Sequence, residues 1–407
     1  MTAIAPRPTR ISTSPPAPGP ALLPVPAARP PRMDHVDLVR GLVMVVMVLD
    51  HVRMFLTEVR FSPTDLSETS VPLFLTRWIT HYCAPTFIFL AGASAWMAGT
   101  RRIGSDLSRF LVTRGLWLIV LEFSVVNFGW YFNLRFEHGA VAQVIWVIGI
   151  SMVVLAGLVR LPRPVIVAVG LALVLGHNLL DGVTPAQAGA WAPLWRILHV
   201  QGALESAPLL VYYPVIPWIG VMALGYAAGP YGFLRRLHAV RKLALAGAGV
   251  VAAFVVLRAL DVYGDPAPRL TAGAFETVAM SFLNVSKYPA SLLYLLMTLG
   301  PALIALAAAT RMHGKSPSAL VVFGRVPFLF YVAHLYLVHA IAVGLAMLQG
   351  LPASAVTILP MTLPEGYGVG LPVIYAVWAG VVLVLYPVCA RLARAKAQSR
   401  AWWWSYL

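Results

Sequence analysis

Apolar residues run along this chain in stretches of about twenty, divided by short polar or proline-rich breaks. A helix rises about 1.5 Å per residue, so roughly 20 such residues cross a bilayer. Ten stretches fit: 36–56, 79–99, 108–129, 141–160, 163–180, 209–229, 241–261, 290–311, 318–348 and 370–393. The pattern predicts an all-α, polytopic integral membrane protein of about ten transmembrane helices. Prolines mark the junctions, as at Pro162 and Pro164, and Pro214 and Pro217 suggest a broken sixth helix.

Composition supports that class. Of 407 residues, 59% are hydrophobic and only 11% charged, against about 25% charged in a soluble domain. The net charge of +15 raises nucleic acid as a partner, but the basic residues lie scattered in short loops between spans. That distribution follows the positive-inside rule and argues against nucleic-acid binding. Nineteen of the 30 Lys and Arg fall on the side of the N-terminus, among them Arg101, Arg102, Arg109, Arg160, Arg163 and Arg311. Eight fall on the other side, so both termini are expected in the cytoplasm, in a multi-pass protein of the inner (plasma) membrane. Residues 1–33, rich in Pro, Ala and Arg and without the apolar core of a signal peptide, are expected to form a disordered cytoplasmic tail. A membrane domain then spans 34–396, and 397–407 form a C-terminal cytoplasmic tail. Cys83 and Cys389 imply neither a disulfide framework nor a metal knuckle. A homodimer stays open, because dimerising faces of polytopic proteins resemble lipid-facing ones.

The longer loops, 57–78, 181–208, 262–289 and 349–369, all fall on the outer side, where a substrate site is usually assembled. Inside the spans, an ionisable group costs several kcal/mol unless it faces protein or water. The first span nonetheless carries Arg40 near one end and Asp50-His51 near the other. Eleven residues separate Arg40 from His51, which places both on one helical face roughly 16 Å apart. The third span carries Arg114 and Glu122, eight apart and near one face, as a structural ion pair or as an arginine reaching for phosphate. His51 is either an interfacial polar group or a general base or acyl acceptor, oriented by a carboxylate elsewhere. His81 is the second candidate, with a capping role as its alternative. His334 and His339, five apart, diverge by about 140° and do not form the pair expected of helical metal ligands. His334 is read as packed or hydrogen-bonded, and no metal is expected. Gly225 and Gly229 form a small-xxx-small pair suited to close helix packing. Asn284-Val-Ser286 matches a glycosylation sequon.

Asp37-Leu-Val-Arg40-Gly41-Leu, Leu49-Asp50-His51, Arg77-Trp-Ile-Thr and Ala84-Pro85-Thr-Phe-Ile-Phe-Leu90-Ala-Gly92 resemble the opening of the heparan-α-glucosaminide N-acetyltransferase catalytic-domain family. Tyr213-Pro-Val-Ile-Pro217-Trp218-Ile-Gly220, Asn284-Val-Ser-Lys287-Tyr288-Pro289, Phe323-Gly324-Arg325-Val-Pro327-Phe and the Trp403-Trp404-Ser405-Tyr406-Leu407 ending are similar to its bacterial members. The resemblance implies a polytopic enzyme of the transmembrane acyltransferase superfamily. Such an enzyme takes acetyl groups from cytoplasmic acetyl-CoA, as co-substrate, and delivers them to an extracytoplasmic sugar or glycan amine or hydroxyl. On this reading Arg40 and Arg114 hold the phosphates of CoA, with Arg101, Arg102 and Arg109 at the cytoplasmic mouth. His51, beside Asp50, or else His81, is the catalytic base. Asn284, Lys287 or Arg77 stabilises the oxyanion, and Asp65, Arg77, Trp78 and Trp191 contact the acceptor. The rival class is a secondary transporter of a small solute or lipid-linked sugar, which also uses intramembrane charges and broken helices.

Overall fold

The computed structural model describes residues 34–102, 104–133, 139–204, 206–233, 237–312, 318–357, 363–399, 401 and 404. The expected 1–33 tail and most of the 397–407 tail, including Trp403 and residues 405–407, lie outside the described residues. So do Arg135, Arg235, Arg236, Lys315 and Arg400, which entered the charge argument.

Each of the ten apolar stretches contains a helix. In chain order the helices are α1 (Asp34–Leu56), α2 (Val71–Ile79), α3 (Cys83–Gly99), α4 (Ser105–Leu121), α5 (Asn127–Tyr131), α6 (Val144–Leu158), α7 (Arg163–Gly176), α8 (Pro185–Ala188) and α9 (Ala192–Leu198). There follow α10 (Ile216–Phe233), α11 (Leu237–Leu260), α12 (Phe275–Leu283), α13 (Leu292–Arg311), α14 (Ser318–Arg325), α15 (Pro327–Leu348) and α16 (Leu371–Gln398). Six helical stretches among the described residues are long and apolar enough to cross a membrane. They are Ser105–Tyr131, Arg163–Leu180, His238–Leu260, Leu292–Arg311, Pro327–Leu348 and Leu371–Gln398, and the chain is a multi-pass membrane protein.

Three stretches carry a strand or a full break inside the expected span. The fourth opens as a short strand, β1 (Ala140–Ala142), before α6 begins. The sixth opens as a strand, Leu209–Val211, and its helix starts only at Ile216, with Pro217 in the first turn, where a missing N–H costs nothing. Together with β2 (Gly202–Leu204), the Leu209–Val211 strand, β3, makes a small sheet of order β1-β3-β2, parallel on one side of β3 and antiparallel on the other. The ninth breaks at Val326, because the residue before Pro327 is pushed out of the helical region. That break leaves Arg325 at the end of α14.

α1 occupies the middle of the molecule and packs on α3, α13, α14, α15 and α16. Sixteen of its 23 residues are buried, Asp50, His51 and Arg53 among them, so its charges face protein rather than lipid. Asp34 and Asp37 occupy its first turn, where the helix dipole favours anions. Its crossing with α14 is backbone against backbone. A β-carbon on Gly41 would lie 1.8 Å from the Leu320 carbonyl oxygen, and one on Gly324 1.8 Å from that of Asp37. The same device joins α3 to α10, where Gly92 meets Met222 and Gly225 meets the Phe89 backbone, with Gly229 against Trp96.

The long loops are tied down by their own polar groups. Arg258, 1% exposed, donates to the carbonyls of Ala267, Ser281, Phe282 and Asn284. Asp265 accepts from the Ser286 N–H and the Ser291 hydroxyl, both at 2.7 Å. From α7's end, Asn178 accepts the Leu292 N–H and His177 Nε2 meets the Ala290 carbonyl at 2.8 Å.

Overpacking a backbone-level crossing costs about 1–3 kcal/mol or more. Gly41→Val and Gly324→Val are each expected to lower the Tm of the detergent-solubilised protein. Gly344→Ala, whose β-carbon meets nothing within 4 Å, is expected to leave it unchanged or slightly raised.

Candidate active site

One cavity runs along α1 and a second lies at its far end. One, of about 420 Å³, is lined by Arg40, Met44, Met47, Asp50 and His51 along α1, with Arg114 of α4, Arg325 of α14 and Lys396 of α16. The other, of about 610 Å³, lies past the far end of α1 and is lined by Arg53, Arg60, Arg77, His81, Asn284 and Lys287. They are called here the Arg40 cavity and the Arg60 cavity. Met54, Tyr212, Lys287 and Tyr288 line both, so the two meet around these side chains.

Arg40 is oriented by three contacts. It donates to Asp37 Oδ1 at 2.9 Å, to the Gly324 carbonyl at 3.2 Å and to Ser94 Oγ at 3.2 Å. Arg325 donates to Asp34 Oδ1 at 2.9 Å. Arg40, Arg114, Arg325 and Lys396 therefore gather four cations from four helices on one cavity, a lining suited to a polyanion such as a row of phosphates. Arg101, Arg102 and Arg109 do not line it. Arg102 stacks over Phe110 at 4.1 Å, and Arg101 and Arg109 are exposed.

Asp50 is held between two guanidiniums. Oδ1 accepts from Arg53 at 2.8 Å, and Oδ2 accepts a short hydrogen bond from Arg77 of α2. The carboxylate faces the Arg40 cavity, while both arginines face the Arg60 cavity. This ion cluster is thus a partition between the two.

His51 is not oriented by a carboxylate, contrary to expectation. Its Nδ1 lies 2.7 Å from Nε2 of His334 on α15, in a contact buried from solvent. His334 Nδ1 in turn lies 2.9 Å from the Phe330 carbonyl, which only accepts, so Nδ1 carries the proton. In the neutral ring Nε2 is then an acceptor, and His51 Nδ1–H donates to it. The remaining nitrogen of His51, Nε2, is left with a lone pair on a side chain that lines the Arg40 cavity. Trp130 contacts the same imidazole edge-on, at 5.0 Å between ring centres. A neutral imidazole fixed in one tautomer by a second group has the arrangement of a general base.

His81, the other candidate base, lies on the Arg60 cavity, packed edge-on against Tyr294 at 5.5 Å. Lys287 keeps surface toward both cavities, its Nζ 5.2 Å from the centre of the Tyr288 ring. Burial and the neighbouring Arg77 push its ammonium down to about 7. Asn284 lines the Arg60 cavity and donates to the Thr64 carbonyl at 3.0 Å, so the sequon asparagine is engaged in the loop.

Of the residues expected at the acceptor, Arg77 lines the Arg60 cavity and the others lie elsewhere. Asp65 is exposed and accepts from the Ser67 N–H and hydroxyl, which lower its carboxyl below the usual range. Trp78 donates to Met297 Sδ at 3.2 Å. Trp191 is 71% exposed. Glu122 is met by the amino end of α6, where the Trp146 N–H donates to it at 2.8 Å. The sequence missed His334, Arg325, Lys396, Arg60 and the tyrosines at the junction. Two of them lay in quoted motifs: Arg325 in Phe323-Gly-Arg325-Val-Pro327, where a proline break leaves it at a helix end, and Tyr288 in Asn284-Val-Ser-Lys287-Tyr288-Pro289. Among the described residues no three His, Cys, Asp or Glu gather as for a metal ion.

Residues 32–263, more than half of the chain, match the family described as heparan-alpha-glucosaminide N-acetyltransferase, catalytic. No curated protein matches the chain significantly. The matched segment contains Arg40, Asp50, His51, Arg77 and Arg114, while Lys287, Arg325, His334 and Lys396 lie beyond it. With all of α1 and more than half of the chain inside the match, the chain belongs to the heparan-α-glucosaminide N-acetyltransferase catalytic family.

Proposed function

We propose that this protein moves an acetyl group from cytoplasmic acetyl-CoA to an amine or hydroxyl of an extracytoplasmic sugar or glycan. The observation that carries this reading is the pair of meeting cavities, with a cationic lining at one end of α1 and a base-like histidine near the junction. In this reading the chain crosses the membrane about ten times, with both termini cytoplasmic. A catalytic domain spans 34–396, tails of 1–33 and 397–407 flank it, and the Arg40 cavity faces the cytoplasm. The same reading places the protein in the inner (plasma) membrane.

Arg40, Arg114, Arg325 and Lys396 receive the phosphates of CoA, and its pantetheine arm lies along the methionine-lined wall toward His51. The acceptor enters through the Arg60 cavity. His51 Nε2 removes the proton from its attacking amine or hydroxyl, and His51 passes through an imidazolium whose Nδ1–H keeps donating to His334 Nε2. The acceptor's N or O bonds to the thioester carbon, the Lys287 ammonium stabilises the oxyanion, and the carbon–sulfur bond then breaks; the departing thiolate takes the proton from His51 Nε2, leaving CoA thiol and a neutral ring. Asp50 keeps Arg53 and Arg77 in place at the junction. A secondary transporter would move solute without consuming acetyl-CoA, so release of free thiol separates the two readings.

Acetyl-CoA binding to the purified protein, followed by calorimetry, is expected to weaken about 10- to 100-fold on replacing Arg40 or Arg325 with alanine. That range corresponds to the loss of a charge-assisted contact, about 1.5–3 kcal/mol. Unchanged binding in both variants would remove the phosphate role from this cavity. With labelled acetyl-CoA as donor and glucosamine as the acceptor probe, His51→Ala is expected to lower transfer by roughly 100-fold or more. His334→Gln, whose carbonyl oxygen still accepts from His51 Nδ1–H, should keep more of kcat than His334→Phe, with KM for acetyl-CoA similar in the two. Full transfer in His51→Ala would shift the role to His81.

A further inference from the structure

Among the described lysines, Lys287 alone lines both cavities. The sequence has four lysines, Lys242, Lys287, Lys315 and Lys396. Lys396 lines the Arg40 cavity at the cationic end, and Lys287 lines both cavities where they meet. The loop that carries it is held by Asp265 through Ser286 and Ser291, by Arg258 through the Asn284 carbonyl, and by His177 through the Ala290 carbonyl. The backbone that carries Lys287 is therefore held in place, and its Nζ lies 5.2 Å from the centre of the Tyr288 ring. The anion among its charged neighbours, Asp50, is already engaged by Arg53 and Arg77. These two guanidiniums, together with burial, favour the neutral amine, and the ammonium is brought down to about 7. At neutral pH the side chain is thus an ammonium part of the time and a free amine, with a nucleophilic lone pair, for the rest.

We propose that Lys287 is a self-acetylation site: with donor bound and no acceptor present, its Nζ takes the acetyl group itself. The proposal rests on the acetyl-CoA reading above, which brings the thioester to the junction. The Nζ–carbon bond forms as the carbon–sulfur bond breaks. The departing thiolate takes up the proton that Nζ gives up, leaving N-acetyl-lysine and free CoA thiol. An acetylated Lys287 is uncharged, so the product lacks the cation that stabilises the oxyanion. Idling without acceptor would switch the enzyme off one molecule at a time.

The test uses the full-length protein in lipid nanodiscs with acetyl-CoA and no acceptor, with acetylation at each lysine followed by peptide mass spectrometry. Proximity to a bound thioester predicts labelling of Lys287 at least about tenfold faster than of Lys242 or Lys315. Arg40→Ala should slow the labelling of Lys287 while leaving Lys242 unaffected. Calorimetry on the same sample separates the failures. Donor that binds without labelling Lys287, or that labels all four lysines alike, overturns the self-acetylation and leaves the acetyltransferase reading standing. Intact protein that neither binds acetyl-CoA nor labels Lys287 overturns both.

Discussion

The carboxylate of Asp50, buried between Arg53 and Arg77, is the contact on which the rest of the arrangement depends. A lone carboxylate at this depth would be prohibitively costly, and so would either guanidinium without it. Together they pair the one carboxylate with two guanidiniums, leaving a net charge of +1, and each carboxylate oxygen accepts from one arginine. Removing one partner of such a buried cluster typically costs about 3–5 kcal/mol, because the charge left behind keeps its desolvation penalty. The geometric consequence matters as much. Arg53 comes from α1 and Arg77 from α2, so the cluster pins α2 across the end of α1. It also places charge beside both cavities, with Asp50 lining one and the two arginines lining the other.

A second constraint follows from burying so polar a helix. α1 has to be surrounded by protein on nearly every side, and helices come close enough only where side chains are absent. Gly41 and Gly324 supply that approach against α14, which in turn puts the Gly324 carbonyl within 3.2 Å of Arg40. The close crossing and the orientation of the arginine are one feature. Glu122 shows the same economy. It lies in a π turn, Glu122–Val126, between α4 and α5, and its carboxyl group meets the amino end of α6, where the Trp146 N–H donates to Oε2. The sequence reading considered an ion pair with Arg114 on the same helix, since spacing along one helix is visible and the start of another helix is not.

That contrast describes what was legible. The helical stretches could be read because a bilayer imposes length and apolarity on each one separately. The Arg40–His51 stripe could be read because it lies on a single helix of known period, and both residues do line one cavity. His334 could not be found by the same means. It is 283 positions from His51, and within α15 its spacing to His339 only argued against a metal pair. His339 has other partners, the Gly129 and Val356 carbonyls. Trp191 and Asp65 were chosen as polar or aromatic residues of long loops, but a loop's fold decides which of its residues turn inward, and theirs turn out.

The division of labour along the chain bears on how the site is built. The family-matched segment, 32–263, supplies the histidine, the carboxylate and most of the arginines. The remainder supplies what makes them chemically definite: His334 fixes the tautomer of His51, Gly324 orients Arg40, and Arg325 and Lys396 double the cations of the Arg40 cavity. Without His334, the His51 ring would be free to carry its proton on either nitrogen, and the lone pair facing the cavity would be lost part of the time. A hydrogen-bond chain ending on the Phe330 carbonyl prevents this, because that oxygen accepts and never donates. The direction of every proton in the chain, and so the basicity presented to the cavity, is set by one backbone carbonyl on α15.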